Sequence, residues 1–115
     1  MVWKVEFSAD AEQDFDLIFD HLFESYRAFG AAIETAFDQA AERIEEIRIS
    51  AESLANAPYR GTLHDEILPG LRHVTLDQAI VWFELNPSSE TVRILAIFFG
   101  GQDHVRHMLR RLLSR

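Results

Sequence analysis

Apolar and polar residues alternate over Val2–Phe7, with Trp3, Val5 and Phe7 on one face and Lys4 and Glu6 on the other. That period of two predicts a short strand. Ser8 follows as an N-cap, with Asp10 and Glu12 in the first turn of a helix, where the dipole favours carboxylates. The period then lengthens: Ala11, Phe15, Ile18, Phe19, Leu22, Phe23 and Tyr26 recur at helical spacing, and Gly30 ends the run. A second helix carries Ile33, Phe37, Ala40, Ile44, Ile47, Ala51 and Leu54 in alternating steps of four and three, a seam suited to one neighbouring helix. With only a Gly30-containing turn between them, the two helices should form an antiparallel hairpin, closed by Pro58.

The C-terminal half returns to strand periods. Leu63–Leu68 and Leu71–Leu76 are mixed and strand-prone on either side of Pro69-Gly70, and Ala79–Leu85 is strongly apolar. Asn86-Pro87-Ser88-Ser89 reads as a turn. Thr91–Phe99 is the second arm of a hairpin, and its run Ile94–Phe99 predicts a central strand buried on both faces. Gly100-Gly101 breaks it, and Gln102–Leu113 predicts a short helix with Val105, Met108, Leu109 and Leu112 inward. On its outer side Arg106 and Arg110 share one line, and His107 and Arg111 another. The order is β-α-α-β-β-β-α. It defines an α+β fold: an N-terminal strand and a helical hairpin on a small, mainly antiparallel four-stranded sheet, with a short C-terminal helix. Residues 1–115 make one domain.

Composition supports this and narrows the chemistry. The 115 residues are 48% hydrophobic and 26% charged, and a domain of that length buries about two-thirds of its unfolded surface without disulfides or metal. There is no cysteine, which removes thiol catalysis and thiolate metal sites. The net charge of -8 argues against a general nucleic-acid binder, yet it is unevenly spread. Residues 1–57 hold 13 acids and 4 bases, whereas residues 58–115 hold 6 acids and 7 bases. Glu12, Asp16, Asp20 and Glu24 form an acidic stripe on the first helix, read as a solvated face. The first ten residues carry Lys4, Glu6 and Asp10, so no apolar leader core is expected. The longest apolar run, Ile94–Phe99, is far short of a membrane span. A cytoplasmic location without membrane contact is expected.

Most catalytic templates fail. Gly100-Gly101 lacks the lysine and spacing of a phosphate loop. No serine sits in a nucleophile elbow. His104 and His107 are three apart on a helix, but the sequence places no third or fourth metal ligand beside them. The five histidines are scattered along the chain, so no metal, no cofactor and no catalytic residue is assigned. What remains is an arginine set: Arg72 at the start of a strand, Arg93 within an apolar strand, then Arg106, Arg110, Arg111 and Arg115. A sheet arginine among apolar residues needs a partner. A salt bridge from Arg93 to Glu84 across the hairpin is the expected one, and a basic surface for phosphates or carboxylates is the functional alternative. The candidate functional surface comprises Arg72, Arg93, His104, Arg106, His107 and Arg110.

The block Pro69-Gly70-Leu71-Arg72-His73, then Ala79–Leu85, Val92-Arg93-Ile94-Leu95 and Phe98-Phe99-Gly100-Gly101-Gln102-Asp103, resembles the RelE/ParE toxin superfamily. The opening strand, Ser8-Ala9-Asp10-Ala11 and the two-helix hairpin resemble it too, so the likeness spans nearly the whole chain. The match is closer to the ParE branch. It implies the toxin of a type II toxin–antitoxin, or plasmid-stabilisation, system: a non-enzymatic inhibitor of DNA gyrase that arrests growth. A short ParD-like or other antitoxin would wrap the helical hairpin and sheet and assemble with the toxin. RelE-type members instead cleave messenger RNA in the ribosome, for which Arg72, Arg93 and His104 or His107 would be the site. A third reading is a binding module that retains only the fold. The chain departs from the family at Ile80, where RelE-type enzymes often carry arginine, at Phe99, which replaces the usual histidine, and at Gly101 and Gln102, which replace turn arginines.

Overall fold

In the computed structural model the described residues are 2–100 and 103–114. The chain runs β1 (Lys4–Phe7), α1 (Ala9–Ala28), α2 (Ile33–Glu52), a 3-10 turn (Ser53–Asn56), β2 (Thr62–Leu63), β3 (Leu71–Leu76), β4 (Ala79–Asn86), β5 (Thr91–Phe99) and α3 (His104–Leu113). The sheet order is β1-β5-β4-β3-β2. β1 lies parallel to β5 at one edge, and the other pairs are antiparallel. The four expected strands are present. A fifth, the two-residue β2, is all that pairs of the strand-prone stretch 63–68, whose remainder turns back through hydrogen bonds from Ile67 and Leu68 N–H to the His64 carbonyl.

Ser8 caps α1 as its sequence position predicts: its hydroxyl accepts the Ala11 N–H at 3.1 Å. The hairpin then lies on one face of the sheet. Phe15, Ile18 and Leu22 of α1 and Ala40, Ile47 and Ala51 of α2 close on Ala79, Val81, Phe83, Val92, Ile94 and Ile97. Alanines let α2 approach closely. The predicted seam is buried only over this stretch. Ile33 and Phe37, nearer the hairpin turn, remain 61% and 53% exposed, because there α2 has α1 but no sheet beneath it; Phe37 makes an edge contact with Phe19. The acidic stripe is a surface feature, and Glu12 within it pairs with Arg48 of α2.

β3 and β4 are joined by Asp77 and Gln78, both at positive φ (54° and 69°), the backbone of a two-residue type I′ hairpin. Arg43 of α2 reaches this turn and contacts the Asp77 carboxylate at 3.5 Å. On the other face of the sheet a smaller core gathers Leu71, Ile80, Trp82, Leu95, Ala96 and Met108, with Ile67, Leu68, Phe98 and Leu112 around it. α3 covers this face. The two cores meet at an irregularity in the β4–β5 register, where Trp82 pairs with Ala96 and Phe83 with Ile94. Leu95 is the extra residue of this bulge, so Leu95 and Ala96 both serve the α3 side.

α3 departs from its predicted face. Met108 is buried and Leu112 half-buried, but Val105 and Leu109 are 38% and 39% exposed. Arg111, expected on the outer side with His107, turns inward instead, because an acid on α1 receives it. Gly101, Gln102 and Arg115, which carried part of the sequence reading, lie outside the described residues.

Candidate functional site

That acid is Asp14, the one buried charged side chain among the described residues. Its Oδ1 and Oδ2 accept both terminal nitrogens of Arg111, at 2.9 and 2.8 Å. Oδ2 also accepts the Ile97 backbone N–H at 2.9 Å. Arg111 in turn lies over the Phe98 ring. One bidentate pair thus ties α1, β5 and α3 together just beyond the bulge. The hydrogen bond to Asp14 raises the Arg111 guanidinium above its ordinary value, against the opposing effect of burial.

Arg93 opens onto the same region. With Ser8, Asp10, Leu95, Met108, Arg111 and Leu112 it lines a cavity of about 220 Å³ between the start of α1, β5 and α3. The expected Arg93–Glu84 bridge is not the one formed. The two residues are directly opposite across the hairpin, but Arg93 makes its ion-pair contact with Glu6 of β1, at 4.0 Å. The parallel β1–β5 pairing puts Glu6 on its other flank, a neighbour that hairpin reasoning alone does not supply. The Arg93 side chain is 47% exposed, so it needs no buried partner and remains open to a ligand.

The other candidates divide. Arg110 and His107 are exposed on α3 and line a shallow groove with Asp10, Arg111 and Ser114. The His107 ring also packs 5.8 Å from Phe98. Arg106 is exposed on the same helix. Arg72 is on the opposite side. It alternates with Leu71 and His73, so it faces the helical hairpin, where it donates to the Tyr59 carbonyl at 3.0 Å and lies over the Tyr59 ring. Arg93, His107, Arg110 and Arg111 therefore share one rim, and Arg72 is separated from it by the sheet.

Three of the five histidines come together, while His21 lies on α1 and His107 packs on Phe98. His64, His73 and His104 converge on Trp82. The His64 and His73 rings stack with centroids 4.9 Å apart and share a hydrogen bond, Nε2 to Nδ1, at 2.7 Å. His104 lies 4.8 Å from His73, and its Nδ1 accepts the Trp82 indole N–H at 3.2 Å. Burial, then the nearby His104 and His64, lowers the His73 imidazole below its ordinary value of 6.5. Burial, then His64, does the same for His104. These nitrogens are turned on one another and on the indole, and no cluster among the described residues has the geometry to hold a metal. Sequence spacing could not find this group, because its members come from four different elements. The alternation Leu71-Arg72-His73 does place His73 on the Trp82 face.

No family model matches the sequence, and no curated protein sequence matches it. Solved structures do. A chain of the chromosomal ParDE TA system from P. aeruginosa superposes with a TM-score of 0.64 at 19% identity, over 87% of this chain and 98% of that one. The E. coli toxin RelE in its free state, as an arginine-to-alanine double mutant, matches at 0.61 and 8% identity, over 98% and 99%. A chain of the toxin–antitoxin complex RelBE2 from Mycobacterium tuberculosis matches at 0.53 and 17%, over 86% and 92%. The chain carries the fold shared by these RelE- and ParE-type proteins, as the order of its motifs indicated.

Proposed function

We propose that the chain is the toxin component of a type II toxin–antitoxin module, ParE-like in action: it inhibits DNA gyrase, arrests growth, and is neutralised by a cognate antitoxin in the cytoplasm. The observation that carries the toxin reading is the agreement of fold with toxin–antitoxin proteins, over 87% of this chain for the P. aeruginosa ParDE structure and 98% for E. coli RelE. Among the described residues no helix is long and apolar enough to cross a membrane.

The separation of Arg72 from Arg93 and His104 supports ParE-like over RelE-like action. Metal-free cleavage of RNA needs several cations converging on one developing phosphorane charge, and the sheet keeps these three from sharing a pocket. Their arrangement suits a docking rim, with Arg93 and Arg110 offered to carboxylates or phosphates of a partner. The antitoxin is assigned to the helical hairpin and adjoining sheet.

Induced expression tests the reading. Growth arrest with filamentation and a DNA-damage response, together with inhibition of purified gyrase, is the expected result. Rapid translation arrest with cleaved messages would replace it with the ribonuclease reading. No growth effect in any host lacking the antitoxin would overturn both. Within the proposed surface, Arg93→Ala should weaken the arrest while the protein stays folded.

A further inference from the structure

We propose that the His64–His73–His104 stack on Trp82 is a proton-operated latch that holds the first turn of α3 on the sheet and releases it on acidification. The geometry keeps His104 neutral and lets at most one ring of the His64–His73 pair become a cation. His104 Nδ1 accepts the indole N–H, so that nitrogen carries no proton, and adding one sets two N–H groups against each other. His64 Nε2 and His73 Nδ1 are 2.7 Å apart, a distance at which one donates and the other must keep its lone pair. Three rings with neighbouring centroids 4.8 to 4.9 Å apart cannot all become cations without strong repulsion. The lowered proton affinities of His73 and His104 agree with that arrangement.

The groups around the stack set the direction. From the segment between β2 and β3, Glu66 stands 3.5 Å from His64 Nδ1, while the Asp65 carboxylate is taken by the Gly70 N–H. From β4 the same face carries Glu84, and from β5 it carries Arg93, which is engaged with Glu6. From α3 come Arg106 and His107, both exposed, the latter against Phe98. Among the described residues only Glu66 is within ion-pair reach, and it faces His64. It leaves His73 and His104 uncompensated when they charge.

The two ends of α3 are held differently. The C-terminal end is fixed by Met108, Leu112 and the Asp14–Arg111 pair. In the first turn Val105 is substantially exposed, so His104 against His73 and Trp82 is the principal attachment there. Protonation therefore frees one end and uncovers Trp82 and Ile80 while the other end stays docked. Each proton taken up preferentially by the released state weakens docking by up to about tenfold per pH unit.

Hydrogen exchange on the full chain at about pH 7.5 and about pH 5 tests this, after correction for intrinsic exchange. The expected result is that protection of the His107 and Met108 amides, the first in α3 with helical acceptors, falls at least about tenfold more than protection of α1 and β4. Protection that is unchanged, or that falls in step with α1 and β4, overturns the latch. In His104→Gln the side-chain oxygen can still accept the indole N–H but does not titrate, so the response should flatten while docking at neutral pH persists. Should that variant fail to fold, His73→Gln serves in its place. A folded variant that keeps the full response also overturns the proposal. The outcome is independent of whether the protein arrests growth.

Discussion

Removing the Asp14 carboxylate is the sharpest test of what holds α3 in place. Asp14→Ala deletes three hydrogen bonds at once. Two are the charge-assisted bonds to Arg111, and the third is from the buried Ile97 N–H. An orphaned buried N–H costs about 1–3 kcal/mol. Breaking a buried ion pair from one side costs about 3–5 kcal/mol, but the Arg111 side chain is 25% exposed and can partly reach water, which places the pair at the low end of that range. The combined expectation is about 4 kcal/mol, which for a domain of this size lowers Tm by roughly 16 °C. Thermal and urea unfolding followed by circular dichroism measure it. Arg111→Ala alone should cost a similar amount, because it strands the more deeply buried partner. The double variant should recover at least about 1 kcal/mol relative to the sum. A loss under about 1 kcal/mol for Asp14→Ala, or simple additivity in the cycle, would refute the claim that this pair docks the C-terminal helix.

Gly61→Ala should destabilise by at least about 2 kcal/mol in urea unfolding, since Gly61 has φ +86° and an added Cβ would lie 2.2 Å from the His73 carbonyl oxygen. Arg93→Ala should change stability by less than about 0.5 kcal/mol, as its ion pair is exposed and long, while growth arrest on induction weakens; a large fall in Tm would make Arg93 structural. Stability should also decline in mild acid. His73 and His104 have folded-state proton affinities below the ordinary value of 6.5, so the unfolded chain binds more protons: their contribution is complete above about pH 6.5 and is lost as pH falls through the lowered folded values. Urea midpoints measured across that window check this, and a His73→Gln, His104→Gln double variant should remove most of the slope.

Periodicity made the element order readable. Trp3, Val5 and Phe7 marked β1, the helical recurrences marked the hairpin, and Ile94–Phe99 marked the central strand. Each is a local pattern in which one face meets water and the other does not, or in which neither does. Resemblance to a toxin superfamily added the fold, and the solved structures agree. The Asp77-Gln78 turn was placed only by the runs on either side, since it lacks the glycine that usually advertises a type I′ hairpin. Asp14 was hidden within an acidic helix: nothing in its spacing separates it from Asp16, and burial distinguishes them only once β5 and α3 are present.

The sequence alone therefore determined the order of strands and helices, the capping of α1 by Ser8, and the arginine-bearing C-terminal half. These depend on near neighbours in the chain. Tertiary structure decided the partners. The parallel β1–β5 pairing turned Arg93 toward Glu6, the bulge at Leu95 set which residues face α3, and Arg111 was drawn inward by an acid 97 positions away. His64, His73 and His104, spread over 40 positions, became one stack for the same reason. Charges and hydrogen bonds act over a few ångströms, and only the folded chain brings such distant residues within that range.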